Sequence, residues 1–141
     1  MAVPFLIIGP NGKEVQVTGS GELVTAQLHY EETVFKELAE DNIGYNFFEP
    51  LPGQQFVITG FIAVGDQQIT GNANANVVIY EADSTSSITV DKILVQFVIK
   101  QDQDIPMAGL HVLVNEGKFI NAKTDDDDVH MTLMGYYIDK L

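Results

Sequence analysis

Gln55-Phe56-Val57-Ile58-Thr59-Gly60-Phe61-Ile62-Ala63-Val64 is the stretch whose reading decides the fold. It starts after the break Pro50-Leu51-Pro52-Gly53 and is rich in β-branched and aromatic residues, so it reads as a strand. Phe56, Ile58, Ile62 and Val64 fall on one parity, and Val57, Thr59, Phe61 and Ala63 on the other. Both faces are therefore largely apolar, as in a central strand covered on each side. Gly60 in its middle marks a bulge or a close approach of backbone.

Strand patterns continue on either side of this run. Tyr45–Glu49 precedes it, and Val77–Glu81, Lys92–Lys100, Leu110–Val114, Lys118–Ala122 and Val129–Ile138 follow. Toward the start, Val3–Ile8 meets Glu14–Thr18 across the hairpin turn Pro10-Asn11-Gly12. Glu22–Tyr30 adds a strand with Leu23, Thr25 and Gln27 on one face and Val24, Ala26 and Leu28 on the other. Asn115-Glu116-Gly117 reads as a tight hairpin link, Asp83 to Ser87 as a hairpin loop, and Asn72 to Asn76 as a polar loop. About ten short strands at fairly regular spacing predict an all-β, antiparallel sandwich of jelly-roll type. The one helix candidate is Glu31–Asn42, where Val34, Phe35, Leu38 and Ala39 recur at helical spacing between Glu31-Glu32 and Gly44. Its rival is an irregular crossing that pins Phe35 and Leu38 to a sheet; the spacing favours a short helix or turn. No linker or repeat interrupts residues 1–141, which read as one domain.

Composition narrows the function classes. Twenty acids face seven lysines and no arginine, for a formal net charge of −13. Nucleic-acid binding needs a basic footprint to displace counterions, so neither nucleic acid nor an anionic membrane surface is an expected partner. No apolar run approaches the ~20 residues that span a bilayer. Val3–Ile8 lacks a basic leader and a small-residue cleavage pattern, so no signal peptide is expected. The sequence has no cysteine, which removes disulfides and thiolate chemistry from consideration.

No catalytic residues or cofactor are assigned. His29, His111 and His130 each sit inside a strand pattern without the His-x-His spacing of a cupin metal site. Ser20, Ser84, Ser86 and Ser87 occupy no nucleophile elbow. Many carboxylate pairs exist, but nothing singles one out for glycoside hydrolysis. Asp125-Asp126-Asp127-Asp128 is the sharpest local feature. It has two readings. One is a calcium site, because that cation gathers oxygen ligands from flexible loops. The other is a solvated turn in which one Asp accepts backbone hydrogen bonds and tolerates a left-handed conformation; this second reading is preferred, although Asp125, Asp126, Asp127 and Asp128 stay candidate ligands. In Phe47-Phe48 and Tyr136-Tyr137 neighbours point to opposite faces. The outward ring of each pair lies either under a second subunit or against its own loops.

The segment Gly117-Lys118-Phe119-Ile120-Asn121-Ala122-Lys123-Thr124-Asp125-Asp126-Asp127-Asp128-Val129-His130-Met131-Thr132, with the strand runs Gly53–Val64, Val77–Glu81 and Lys92–Lys100, resembles the jelly-roll, tumour-necrosis-factor-like modules that decorate tailed-bacteriophage capsids or form their trimeric knobs and fibre heads. The likeness runs from Gly53 onward. It implies a non-enzymatic virion structural protein, a homotrimer seated on the major capsid protein or another virion protein. The alternative is a fibre module that binds a carbohydrate, such as a host-surface glycan, or a receptor. A metal-dependent jelly-roll enzyme is the third reading. The apparent apolar surplus of Gln55–Val64 and Lys92–Lys100 points to a sheet face as the contact between copies.

Overall fold

In a computed structural model of the chain, residues 7–8, 14–15, 31–66, 74–125 and 128–140 are described. They form β1 (Ile7–Ile8), β2 (Glu14–Val15), β3 (Glu32–Leu38), β4 (Tyr45–Phe48), β5 (Gln54–Gly65), β6 (Ala75–Ala82), β7 (Lys92–Ile99), β8 (Asp104–Met107), β9 (Val112–Leu113), β10 (Phe119–Thr124) and β11 (Val129–Asp139). β1 and β2 pair antiparallel, Ile7 opposite Val15 and Ile8 opposite Glu14. The remainder of that expected hairpin and the expected strand Glu22–Tyr30 lie outside the described residues, as do Asn72 and Ala73 of the polar loop.

The other strands make two antiparallel sheets, ordered β4-β10-β6-β7 and β3-β11-β5-β8, with β9 also pairing β5. Since β11 runs along one edge of β5 for its whole length, β8 and β9 share the other edge. The pairs nest: β3 with β11, β4 with β10, β5 with β8 and β9, and β6 with β7. Successive pairs fall in opposite sheets. This is a jelly roll, the expected all-β sandwich.

The segment Glu31–Asn42 is not a helix. Its central part is strand β3, which lies on β11 over seven residues, from Leu38 opposite Val129 to Glu32 opposite Gly135. Val34 and Leu38 are four residues apart, and that spacing returns a side chain to the same face of a helix and of a strand. Pairing decides between them. Val34 and Leu38 turn to the core while Phe35 faces solvent.

Two bulges correct the reading that β5 and β7 are apolar on both faces. Against β11, Met134 is opposite Gly60 and Gly135 opposite Ile58, which leaves Thr59 as an extra residue. The inward parity therefore switches from Phe56 and Ile58 to Phe61 and Ala63, all four in the core. β7 does the same at Leu94, because Ile79 is opposite Val95 and Tyr80 opposite Ile93. One extra residue exchanges the faces of everything beyond it, so part of the apparent surplus is a phase shift.

Nor does Asn115-Glu116-Gly117 close a hairpin. It is a turn, with the Lys118 amide donating to the Asn115 carbonyl at 3.3 Å, but it carries the chain from β9 in one sheet to β10 in the other. Asn115 is held from below by the buried Glu81 carboxylate, which accepts from its backbone amide at 2.8 Å and from Nδ2 at 3.1 Å. The core between the sheets is built from Phe48, Phe56, Phe61, Ile79, Ile99, Ile120, Met131 and Leu133 with their neighbours. Each such side chain contributes about 1.5–3 kcal/mol when fully buried. Phe48 stacks on Phe56 at 4.1 Å and Phe61 on Phe97 at 4.9 Å between ring centroids.

Candidate functional site

The acidic turn joins β10 to β11, and both its described ends are engaged. Asp125 Oδ1 accepts from the Asn76 amide at 2.6 Å, and the Asp125 amide donates to the Asn76 carbonyl at 3.3 Å. Asp128 adopts a left-handed backbone, φ 56°, and its carbonyl accepts from the Asp66 amide at 3.0 Å. One aspartate bonds backbone and another supplies the left-handed residue, two properties for which Asp suits turns. Asp126 and Asp127 lie outside the described residues. Among the described residues no three His, Asp or Glu side chains converge as a cation cage.

The two described histidines do not come together. His29 lies outside the described residues. His111 is exposed just before β9, whose Val112 is opposite Ile58, whereas His130 is opposite Val64. Those positions on β5 are six residues apart, roughly 20 Å at strand rise. His130 Nε2 sits 3.3 Å from Asp66 Oδ2 and 3.6 Å from Glu37 Oε1, yet is aligned for a hydrogen bond to neither. The Phe35 ring meets the imidazole edge-on, 6.0 Å between centroids.

The outward faces of the two sheets carry the clearest contrast. On β4-β10-β6-β7 the loop from Asp83 to Asp91 folds back over the sheet. Tyr80 and Asn121 stand opposite each other on β6 and β10, face away from the core, and are both fully buried under that loop. Asn121 Nδ2 donates to the carbonyls of Ser84 at 2.9 Å and Ser87 at 3.2 Å, and its Oδ1 accepts from Asn46 Nδ2 at 3.0 Å. The Tyr80 hydroxyl donates to the Ser87 carbonyl at 2.5 Å, and burial raises its pKa. Lys123 Nζ donates to the Ile88 carbonyl at 2.9 Å while lying 5.5 Å above the Tyr80 ring. Lys118 pins the loop's two ends through Asp83 at 2.6 Å and Asp91 at 2.9 Å. Its hydrogen bond, then its charge, holds the Asp83 carboxyl below the usual range, and the same bonds raise the Lys118 ammonium.

The outward face of β3-β11-β5-β8 has a different chemistry. Phe35, Thr132, Ile62 and Pro106 are mutually opposite across four strands and make one row. Phe35 is 59% exposed and Ile62 45%. The adjoining row is Glu37, His130, Val64 and Asp104, so the apolar row has a charged margin on that side.

With this geometry in place, comparison with known proteins adds little. No family model matches the chain, and no curated protein matches it. A solved structure from the Bacillus endospore appendages, described as a novel family of disulfide-linked pili, is similar at 11% identity and a TM-score of 0.46, over 79% of this chain and 88% of that one. A likeness of that degree carries no argument, and the present sequence has no cysteine with which to form such a link.

The paired aromatics resolve without a partner in one case. Phe47 and Phe48 are both buried and both belong to the core, because β10 shifts register against β4 between Ile120 and Asn121. Tyr137 packs on that core, meets Phe56 edge-on at 4.9 Å and donates to the Glu49 carbonyl at 2.7 Å. Burial, then the negative charges of Glu32 and Glu49, raises its pKa. The apolar row was not legible beforehand: the sequence pattern predicts no strand at Asp104–Met107, where Pro106 interrupts it, and the spacing around Phe35 favours a short helix or turn.

Proposed function

We propose that this chain is a non-enzymatic structural protein of a virion, a capsid decoration or surface knob of a tailed bacteriophage, that works as a homotrimer. The observation that carries the assembly part is the row Phe35, Thr132, Ile62 and Pro106, an apolar strip across a sheet face in a chain of net charge −13. Monomers rarely leave large contiguous apolar patches in water, and packing about a closed symmetry axis covers one economically. The jelly-roll strand order is the one that the bacteriophage modules imply, and the resemblance over Gly117–Thr132 supplies both the virion and the number three. The same face would serve for seating on a major capsid protein.

Light scattering or sedimentation at micromolar concentration tests it. The expected mass is three times the 15.5 kDa chain or a multiple of that, rising in population with salt as repulsion between acidic protomers is screened. A stable monomer or simple dimer would sink the trimer and most of the case for a knob or decoration role.

A further inference from the structure

Each sheet of a sandwich ends in edge strands whose outward amides and carbonyls invite pairing, and proteins blunt them with charge, proline or shortness. Among the described residues, three of the four edges of the two larger sheets are blunted. β3 carries Glu32, Lys36 and Glu37; β8 has four residues including Asp104 and Pro106; β4 has four residues and runs into Glu49-Pro50. The fourth is different. β7 is eight residues long and contains no charge and no proline from Ile93 through Ile99. Among the described residues it pairs with β6 and with no other strand. Its outward side chains Ile93 and Val98 are each 52% exposed.

We propose that the edge of β7 that no described strand covers pairs antiparallel with β7 of a second copy across a two-fold axis, joining two four-stranded sheets into one. The occupant follows from charge and symmetry. Two surfaces of net charge −13 repel, so close backbone pairing is favoured where neither copy brings a carboxylate, and Ile93–Ile99 is such a strip on both. An antiparallel edge is also self-complementary: a two-fold axis makes each residue's partner the same strand read in reverse. Beyond the bulge at Leu94, Val95–Ile99 is regular and supplies the uninterrupted ladder. The pairing is independent of the virion reading, whose contact lies on the other sheet.

Amide hydrogen exchange on the unmodified protein, read across a dilution series, is the first test. Alternate β7 amides should be protected at high concentration and lose that protection on dilution, in step with a two-fold fall in mass. The second is Ile93→Lys with Val98→Lys, both at exposed outward positions where the core is not disturbed. Lysines facing lysines across the axis should weaken the pairing by about a hundredfold. The mass at a fixed concentration should halve, from six chains to three if the sheet-face trimer exists and from two to one if it does not. Phe35→Ser should leave the β7 protection intact. The proposal is overturned if β7 amides exchange rapidly at every concentration. Protection independent of concentration also overturns it, since the edge would then be covered by the same chain. So does a double variant, folded by circular dichroism, that keeps the wild-type mass.

Discussion

The two outward sheet faces solve the same problem in opposite ways. Over Tyr80 and Asn121 the chain brings its own lid, the loop from Asp83 to Asp91, and ties it down with hydrogen bonds to buried polar side chains. Over Phe35 and Ile62 the exposed apolar row meets solvent. A buried amide without partners costs about 1–3 kcal/mol, so the covered face depends on complete satisfaction of its polar groups. The exposed row has no such lid among the described residues, and Phe35 and Ile62 can change with little effect on the folded chain. On the proposed reading, stability is concentrated on one face and association on the other, a division that substitutions can separate.

The strongest break is expected at Gly135. It sits at the bulge where β11 crosses from Gly60 to Ile58, and a Cβ there would run into the Val57 carbonyl oxygen and the Phe56 ring. Backbone cannot yield as a flexible side chain can. Gly135→Val should cost about 3–5 kcal/mol, a large share of the roughly 5–15 kcal/mol that holds a domain together. Denaturant unfolding would measure this, and both faces would suffer because the central strand pair is displaced.

Asn121→Ala acts on the covered face alone. It strands the Ser84 carbonyl under the loop, leaves the Ser87 carbonyl to the Tyr80 hydroxyl and removes an acceptor from Asn46. The expected loss is about 2 kcal/mol, with faster proteolysis within 83–91 and no change in the oligomer's mass per chain count. A change in association with unchanged stability would reverse the roles assigned to the two faces.

The strand inventory was legible because turn residues and alternation point the same way over most of the chain. Two features escaped for physical reasons. Alternation is blind to the phase change at a bulge: Gly60 marks the one in β5, but its parity switch at Thr59 is hidden, and the bulge at Leu94 of β7 carries no mark at all, so both strands look apolar on both faces. Short, edge-bound β8 hid behind Pro106, which is tolerated there because an edge strand need not donate from every amide. The candidate site was less legible still. Asn121 reads as one polar residue in a strand, and its importance comes from a loop more than thirty residues away in sequence, as its bonds to Ser84 and Ser87 show. In the acidic turn, Asp125 accepts a backbone hydrogen bond and Asp128 takes a left-handed conformation.

Tyr80→Phe should be milder, about 1 kcal/mol for one hydrogen bond to the Ser87 carbonyl. The same residue sets an alkaline limit. Burial raises the Tyr80 pKa above its ordinary 10.0, and Tyr137 is raised likewise. A raised folded-state value means the folded chain holds its proton longer than the unfolded chain does. The stability linked to it is complete below about pH 10 and is lost as pH climbs through the folded value. Melting temperature should thus fall above about pH 10, and Tyr80→Phe should flatten the part of that fall due to Tyr80. Absorbance titration of the phenols should show Tyr80 and Tyr137 ionising late; uniform ionisation near the ordinary value would remove the argument.

The smallest effect on the fold is expected from Phe35→Ser, and it discriminates best between the two faces. Phe35 lies on edge strand β3, 59% exposed, with its ring against the edge of His130 and its backbone opposite Thr132. Little of it is buried in one chain, so the folded protomer should change by under about 0.5 kcal/mol. In the assembled state the ring would be desolvated, and an aromatic at the centre of an interface is where binding energy concentrates. Serine there should shift the oligomer toward smaller species by at least about tenfold in dissociation constant, since 1.4 kcal/mol corresponds to a factor of ten. Sedimentation of the variant beside the unmodified protein reads the shift, and thermal melting of dilute samples reads the fold. A large loss of melting temperature with no change in mass would mean that Phe35 is covered by its own chain, and the division between a self-covered face and an associating face would fail.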